Sequence, residues 1–330
     1  MAPVGLPLAG IAAFFGAVGQ FFSSLARIDW GALLIGLACF AVYISARTRA
    51  WYAAIHAAYP SERVQWRRLW GAYWATYAVN NVVPFRGGEA IRLVLGKASV
   101  PGSSYPAIAA SFLVEHVFDA GLAIITLGYA FTQGVFPKPP DFASLGAFDL
   151  SFLAARPRLA LFLITALAVL GLVAFAMLSA RVVSFWERVR RGLVILGDRR
   201  RYLREVALVQ LVGTVFRLAA YWNFLDAFNI GGSLRNAVLV VAVNTIATAL
   251  PLTPGGAGVQ QALLVQVFSS TASTATVAAY SVGQQLAIAA LSVVIGLGSL
   301  VLIFGFRTFG EALRYTRATH ARERHASRVR

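Results

Sequence analysis

The side chains able to do chemistry are few, and they fall inside apolar runs. Glu115 and Asp119 stand four residues apart, which on a helix puts two carboxylates on one face, with His116 adjacent. Glu89 and Arg92 are three apart and share a face just after a Pro/Gly-Gly sequence. Arg217 sits midway along an apolar run, with Asp226 nearer its end. Ionisable groups in such runs are expensive and each needs a reason. Two readings stand. One is static pairing within a helix bundle, for example Arg217 with Glu115 or Asp119. In the other, the basic groups bind an anion while a carboxylate gates passage or carries a proton. His116 reads most simply as a packed or hydrogen-bonded residue.

Enzyme constellations are sparse. The chain has no Gly-x-Gly-x-x-Gly, Walker A or His-Glu-x-x-His sequence and no cysteine cluster. Gly-x-Ser-x-Gly is missing too. Four histidines, two of them near the C-terminus, make no metal pattern, and a single acidic pair at Glu115 and Asp119 is a weak one. The sequence therefore predicts neither metal nor cofactor. Cys39 has no intrachain partner and reads as a small core residue.

The elements that must position these residues are apolar helices. Apolar residues make up 58% of the 330, charged residues only 13%, and mean hydropathy is +0.70. A soluble domain of this size carries roughly 25% charged residues, so this one could not cover its surface. Stretches 6–26, 31–46, 158–180 and 276–306 have almost no charge and bilayer-spanning length. They lack the alternation of barrel strands, so they are read as helices. No basic region precedes 6–26, which predicts a retained span rather than a cleaved signal peptide.

Net charge is +16, and its distribution argues for a membrane surface rather than nucleic acid. Basic clusters fill 47–68 (from Arg47 to Arg68), 181–204 and 307–330, each beside the end of an apolar span. Assigning all three to the cytoplasm fixes the parity of the spans. Spans 6–26 and 31–50 go out and return, 107–131 goes out, loop 132–157 is periplasmic, 158–180 returns, 205–228 goes out, and 276–306 returns. Segment 69–99 must then enter and leave by the cytoplasmic face. Its N-N-V-V-P-F-R-G-G-E stretch supplies the turn, since proline and paired glycines disfavour a continuous helix. Segment 236–268, broken at P-L-T-P-G-G-A-G, does the same from outside. This assignment puts 23 of the 29 basic residues in the cytoplasm.

The expected fold is an all-α polytopic membrane protein of about six full spans plus two re-entrant helical hairpins. Its halves, about 6–131 and 158–306, form an inverted repeat within a single transmembrane domain 1–306, followed by a basic cytoplasmic tail 307–330. Pro84 and Pro251, 167 residues apart, mark corresponding breaks. Broken helices meeting near the midplane are a recurrent transporter arrangement. Gly87-Gly88 and Gly255-Gly256 each stand at the start of a helical piece, where free N–H groups favour an anion. The Trp- and Tyr-rich stretch 66–77 reads as an interfacial belt.

Three motifs, N-x-x-P-x-R-G-G-E-x-x-R at 81–92, E-x-x-x-D at 115–119 and P-x-T-P-G-G-A-G at 251–258, carry a family resemblance. Together and in this order they resemble the lysylphosphatidylglycerol synthase transmembrane region, a group that also holds small flippase-like membrane proteins. The resemblance runs over roughly 25–305. It implies a lipid-handling domain that moves a modified phospholipid between leaflets. Full-length synthases add a soluble aminoacyl-transferase domain after the membrane part. The present sequence ends in a basic tail, so no synthase activity is expected. The family's Glu-Arg stands here as Glu115-His116, and its acidic residue near 261 as Gln261, so ligand identity does not transfer.

The leading expectation is a bacterial inner-membrane lipid translocase or transporter with both termini cytoplasmic. The headgroup, anionic or modified, would be held between the two hairpins. Arg86, Arg92 and Arg217 would contact it, with Gly87, Gly88, Pro254, Gly255, Gly256, Gly258 and Gln261 around it. Glu89, Glu115 and Asp119 would set gating or proton coupling. Membrane lipids are the expected partners, not nucleic acid. The alternatives are a membrane-embedded lipid or polyprenyl transferase using Glu89 or Asp119 as general base, and a non-catalytic partner that recruits lipid-synthesis enzymes.

Overall fold

The computed structural model describes residues 27–81, 87–133, 185–249 and 258–305. Expected spans 6–26 and 158–180, nearly all of the loop 132–157, the tail, and the prolines of both breaks lie outside these residues. All secondary structure among the described residues is helical.

Helix α1 spans Trp30–Ala58 and begins where the Asp29 carboxylate accepts the N–H groups of Gly31 at 2.8 Å and Ala32 at 3.1 Å. It runs past the expected end at 50 because its last two turns bury Trp51, Ala54 and Ile55 completely. Arg47 consequently lies well inside the helix rather than in a cytoplasmic cluster at its end.

Both breaks fall where the Pro/Gly-Gly sequences require. α2 (Trp66–Asn80) and α3 (Gly88–Ser99) flank the first; α8 (Leu234–Ala249) and α9 (Val259–Phe268) flank the second. At about 1.5 Å per residue none of the four reaches across a hydrocarbon core of about 30 Å. Between them come α4 (Tyr105–Thr132), the short α5 (Val194–Gly197) and α6 (Arg199–Tyr202), and a π-helical turn Leu203–Ala207 that runs into α7 (Leu208–Ala227). Helix α10 (Thr274–Leu302) follows α9, its first turn capped by Ser273. Among the described residues α1, α4 and α10 are long and apolar enough to cross a membrane, as a multi-pass membrane protein requires.

Small residues set the crossings, as expected where lipid removes any hydrophobic drive between helices. α1 and α7 run antiparallel: Gly36 faces Ala220 and Phe224, while Gly213 faces Tyr43 and Ala46. α2 and α10 are also antiparallel, with Gly71 against Ser299 and Ile303 and Gly296 against Trp74 and Ala78. The end of α4 meets the start of α8 through an Ala130, Leu239 and Ala242 cluster and an Arg235 Nε to Gln133 Oε1 bond of 2.9 Å. The Asp29 N–H donates to the Ala227 carbonyl at 3.0 Å, which ties the start of α1 to the end of α7.

Further packed pairs are α2 with α3 and α8 with α9, α3 with α4 and α9 with α10, α1 with α2 and α7 with α8, and α1 with α4 and α7 with α10. Exchanging α1–α4 for α7–α10 maps all of these pairs, and the crossings above, onto one another.

Two sequence expectations change here. The stretch 66–77 is no uniform belt: Tyr73 and Trp74 are buried in the bundle, while Trp66, Trp70 and Tyr77 are only partly so. Position along the helix decides this, since α2 is buried on every side from Gly71 to Thr76, where α3 and α10 pack on it, and more open in its first turns. Arg47 and Arg92, both counted among the cytoplasmic arginines, are buried or nearly so between helices. The charge asymmetry survives their removal.

Candidate functional site

Four helices converge on a buried polar cluster. α1 supplies Arg47 and Trp51, α2 supplies Tyr73, α3 supplies Arg92, and α4 supplies Phe112, Glu115 and Asp119. Glu115 is fully buried and is the hub. Its Oε2 accepts from Arg47 Nη2 at 3.0 Å and from the Tyr73 hydroxyl at 2.8 Å, and its Oε1 accepts from Arg92 Nη2. Asp119, one turn on and 34% exposed, forms a bidentate pair with Arg47, at 2.5 Å to Nη1 and 2.8 Å to Nη2. Arg47 Nε donates to Tyr73 at 2.8 Å. Every N–H direction of the Arg47 fork is thus directed at this cluster, a geometry that lysine could not reproduce.

Arg92 is enclosed by aromatic rings. Its guanidinium carbon lies 4.2 Å from the ring centroids of Trp51 and Tyr73 and 4.3 Å from that of Phe112. Trp51 is held in turn by its indole N–H on Ser111 Oγ at 2.9 Å. A desolvated guanidinium on aromatic faces gains about 2 kcal/mol or more, which offsets part of its burial. Glu89, in the first turn of α3, carries a buried Oε2 with no hydrogen-bond partner among the described residues, as does Arg92 Nε.

Arg217 stands apart. It is the tenth of the twenty residues of α7, half-buried, and rests over the rings of Tyr43 at 5.5 Å and Tyr221 at 5.8 Å. Among the described residues it makes no ion pair. The Tyr221 hydroxyl accepts from Asn244 Nδ2 at 2.8 Å, which connects this arginine to the helix that leads into the second break. Arg217 and Asp119 form no ion pair, and both oxygens of Asp119 are engaged by Arg47.

The sequence-predicted residues therefore divide. Arg92, Glu115 and Asp119 come together, with Glu89 near them; Arg217 does not pair with either acid, and Arg47 takes the place that static pairing had offered it. Arg47 and Tyr73 were missed because one was assigned to a basic cluster and the other to an aromatic belt. No local signal in the sequence marks them, because their place opposite E-x-x-x-D is set by helix packing. His116 points away, exposed, with Nδ1 at 2.7 Å from its own helix's Phe112 carbonyl.

Both breaks engage their own amides. The Gly88 N–H donates to Asn80 Oδ1 at 2.8 Å, and the Gly258 N–H to Gln261 Oε1 at 2.5 Å. Gln261 also donates to Gln285 at 2.9 Å. The expected anion-binding N–H at Gly88 is hence already satisfied by the Asn80 carboxamide. Gly87 forms the turn into α3. Arg86, Pro254, Gly255 and Gly256 lie outside the described residues.

No metal-binding group of three or more ligands occurs among the described residues. No curated protein matches the chain. The family model described as lysylphosphatidylglycerol synthase TM region matches residues 4–296, so the chain belongs to that family of membrane proteins.

Proposed function

We propose that the protein is a lipid translocase of the bacterial inner membrane that holds a phospholipid headgroup beside Arg217, between the two helix breaks. The observation that carries this is a half-buried arginine in mid-helix with no ion-pair partner among the described residues, next to a cluster whose own arginines are paired with Glu115 and Asp119. An uncompensated charge at that depth costs about 2.5–3.5 kcal/mol even on the mildest scale, and an anionic ligand would relieve it. Asp119 stands at the exposed rim of the cluster and within reach of Arg217's field. A headgroup bearing a phosphate and an ammonium could meet both.

In this reading Arg92 and Arg47 position helices rather than touch lipid, because they pair with Glu115 and Asp119 inside the bundle. The family membership supports a lipid-related role. The self-mapping set of packed helices supports an inverted repeat, and the four short helices around the two breaks support re-entrant hairpins entering from opposite faces. We assign the face carrying the start of α2 and the end of α10 to the cytoplasm, on the basic residues there. No synthase activity is assigned to the chain.

Reconstitution into liposomes with fluorescent lipids tests the proposal. Leaflet exchange above empty vesicles is expected for at least one anionic or aminoacylated phospholipid. No exchange with any of several such lipids rejects it.

One observation favours a second reading, a membrane-embedded lipid transferase. The buried Glu89 Oε2, unpartnered among the described residues, has the environment of a general base. That reading requires product turnover by purified protein and its loss in Glu89→Gln.

A further inference from the structure

A groove of about 490 Å³ opens on the outer side of the bundle, between the first turns of α2 and the last turns of α10. Trp66, Arg67 and Trp70 form one wall; Gly298, Ser299 and Leu302 form the other. It lies away from the buried cluster, where the first turns of α2 are exposed. Nothing stands within 4 Å of where a Cβ on Gly298 would project, so the glycine leaves the groove open. The Trp70 wall is fixed, since its indole N–H donates to Ser45 Oγ at 3.0 Å and its ring packs edge-on against Trp74.

The lining is amphipathic along its length. Val294, Leu297 and Leu302 are largely exposed on α10, which marks this surface as facing hydrocarbon. At the mouth Arg67 is exposed, with Arg63 and Arg68 in the same short stretch, and two indoles stand beside them. A volume of this size suits a ligand held in a cleft. Apolar walls below a tryptophan and arginine rim match one chemistry: an acyl chain below and an anionic headgroup at the boundary.

We propose that this groove binds one anionic phospholipid of the adjoining leaflet, with its phosphate at Arg67 and one acyl chain along Gly298 and Leu302. The lipid bridges α2 and α10, and so joins the two halves of the molecule. The basic segment 307–330 is the other nearby candidate, but the arginines at the mouth repel it. The site is independent of the headgroup site at Arg217 and of whether the protein moves lipid.

Native mass spectrometry of the full chain in detergent, with equal phosphatidylglycerol and phosphatidylcholine added, tests it. The wild type retains one phosphatidylglycerol in preference to phosphatidylcholine. Gly298→Leu fills the groove and Arg67→Gln removes the charge. Each lowers retention roughly tenfold, the equivalent of one good contact, with the melting curve in lipid-free detergent unchanged. Wild-type retention in both variants overturns the proposal, as does absence of preference for the anionic lipid. Capture of segment 307–330 by a photo-crosslinking residue at position 298 also overturns it. Loss of retention in Arg217→Gln alone, with Gly298→Leu and Arg67→Gln at the wild-type level, would assign the lipid to the Arg217 site and likewise overturns the proposal.

Discussion

Asp119 gives both of its carboxylate oxygens to Arg47, at 2.5 and 2.8 Å, and this pair joins α1 to α4 through residues 72 apart in the sequence. Arg47 also reaches Glu115 and Tyr73, so one guanidinium holds α1, α2 and α4 together. Removing one member of a buried ion network leaves the others charged and unpaired, which costs about 3–5 kcal/mol. Arg47→Ala should therefore lower the thermal unfolding temperature in detergent sharply. Arg47→Lys should recover only part, because a point charge cannot bond Asp119 in a fork while reaching Tyr73. Wild-type melting in Arg47→Ala would mean that the network does not hold the fold.

Tyr73 isolates the hydrogen-bonding part of the same network from its charge. Its hydroxyl donates to Glu115 Oε2 at 2.8 Å and accepts from Arg47 Nε at 2.8 Å. Tyr73→Phe keeps the ring under Arg92 and deletes only these bonds. A destabilisation of about 1–3 kcal/mol is expected, the range for leaving buried polar partners unsatisfied. The same melting assay reads it, and the loss should exceed that of Tyr52→Phe, a half-buried control outside the cluster.

Much of this was legible in the chain itself, for physical reasons that also explain the failures. The breaks were readable because proline and glycine pairs act locally, and helix ends at Asn80 and Gly88 follow from them. Glu115 and Asp119 were readable because i, i+4 spacing fixes a shared face. The partner of that face was not, because it depends on which helix packs opposite, and charge counting treats every arginine near a span end as solvent-facing. Arg47 belongs to a helix whose last turns are buried, a tertiary fact with no local signature. Gly88 failed in a related way: the glycine predicts an open N–H group, but Asn80 folds back onto it.

Arg217 separates function from stability. It makes no ion pair among the described residues, so Arg217→Gln should melt close to wild type. If it holds a headgroup phosphate, the same substitution should slow leaflet exchange of an anionic lipid roughly tenfold or more, the loss of one charge-assisted contact. Arg217→Lys should retain part of the activity. A variant that exchanges lipid at the wild-type rate while folding normally would remove Arg217 from the headgroup site.

Gly88 tests whether the first break is a packed element or a loose turn. A Cβ there would run into the Thr76 carbonyl and the Asn80 side chain, so α3 can lie this close to α2 only through glycine. Thr76 is backbone within a helix and cannot yield as a flexible side chain could. Gly88→Ala should thus push the two helices apart and weaken the Asn80 cap as well as the Arg92 to Glu115 contact that α3 delivers. The expected readout is a lowered melting temperature, despite alanine's advantage of about 1 kcal/mol over glycine inside a helix. Gly298→Ala, where nothing meets the added methyl, supplies the control and should melt at or above the wild-type temperature. If both substitutions stabilise equally, the close approach of α2 and α3 at Gly88 is not a feature of the folded protein, and Arg92 is not fixed by it.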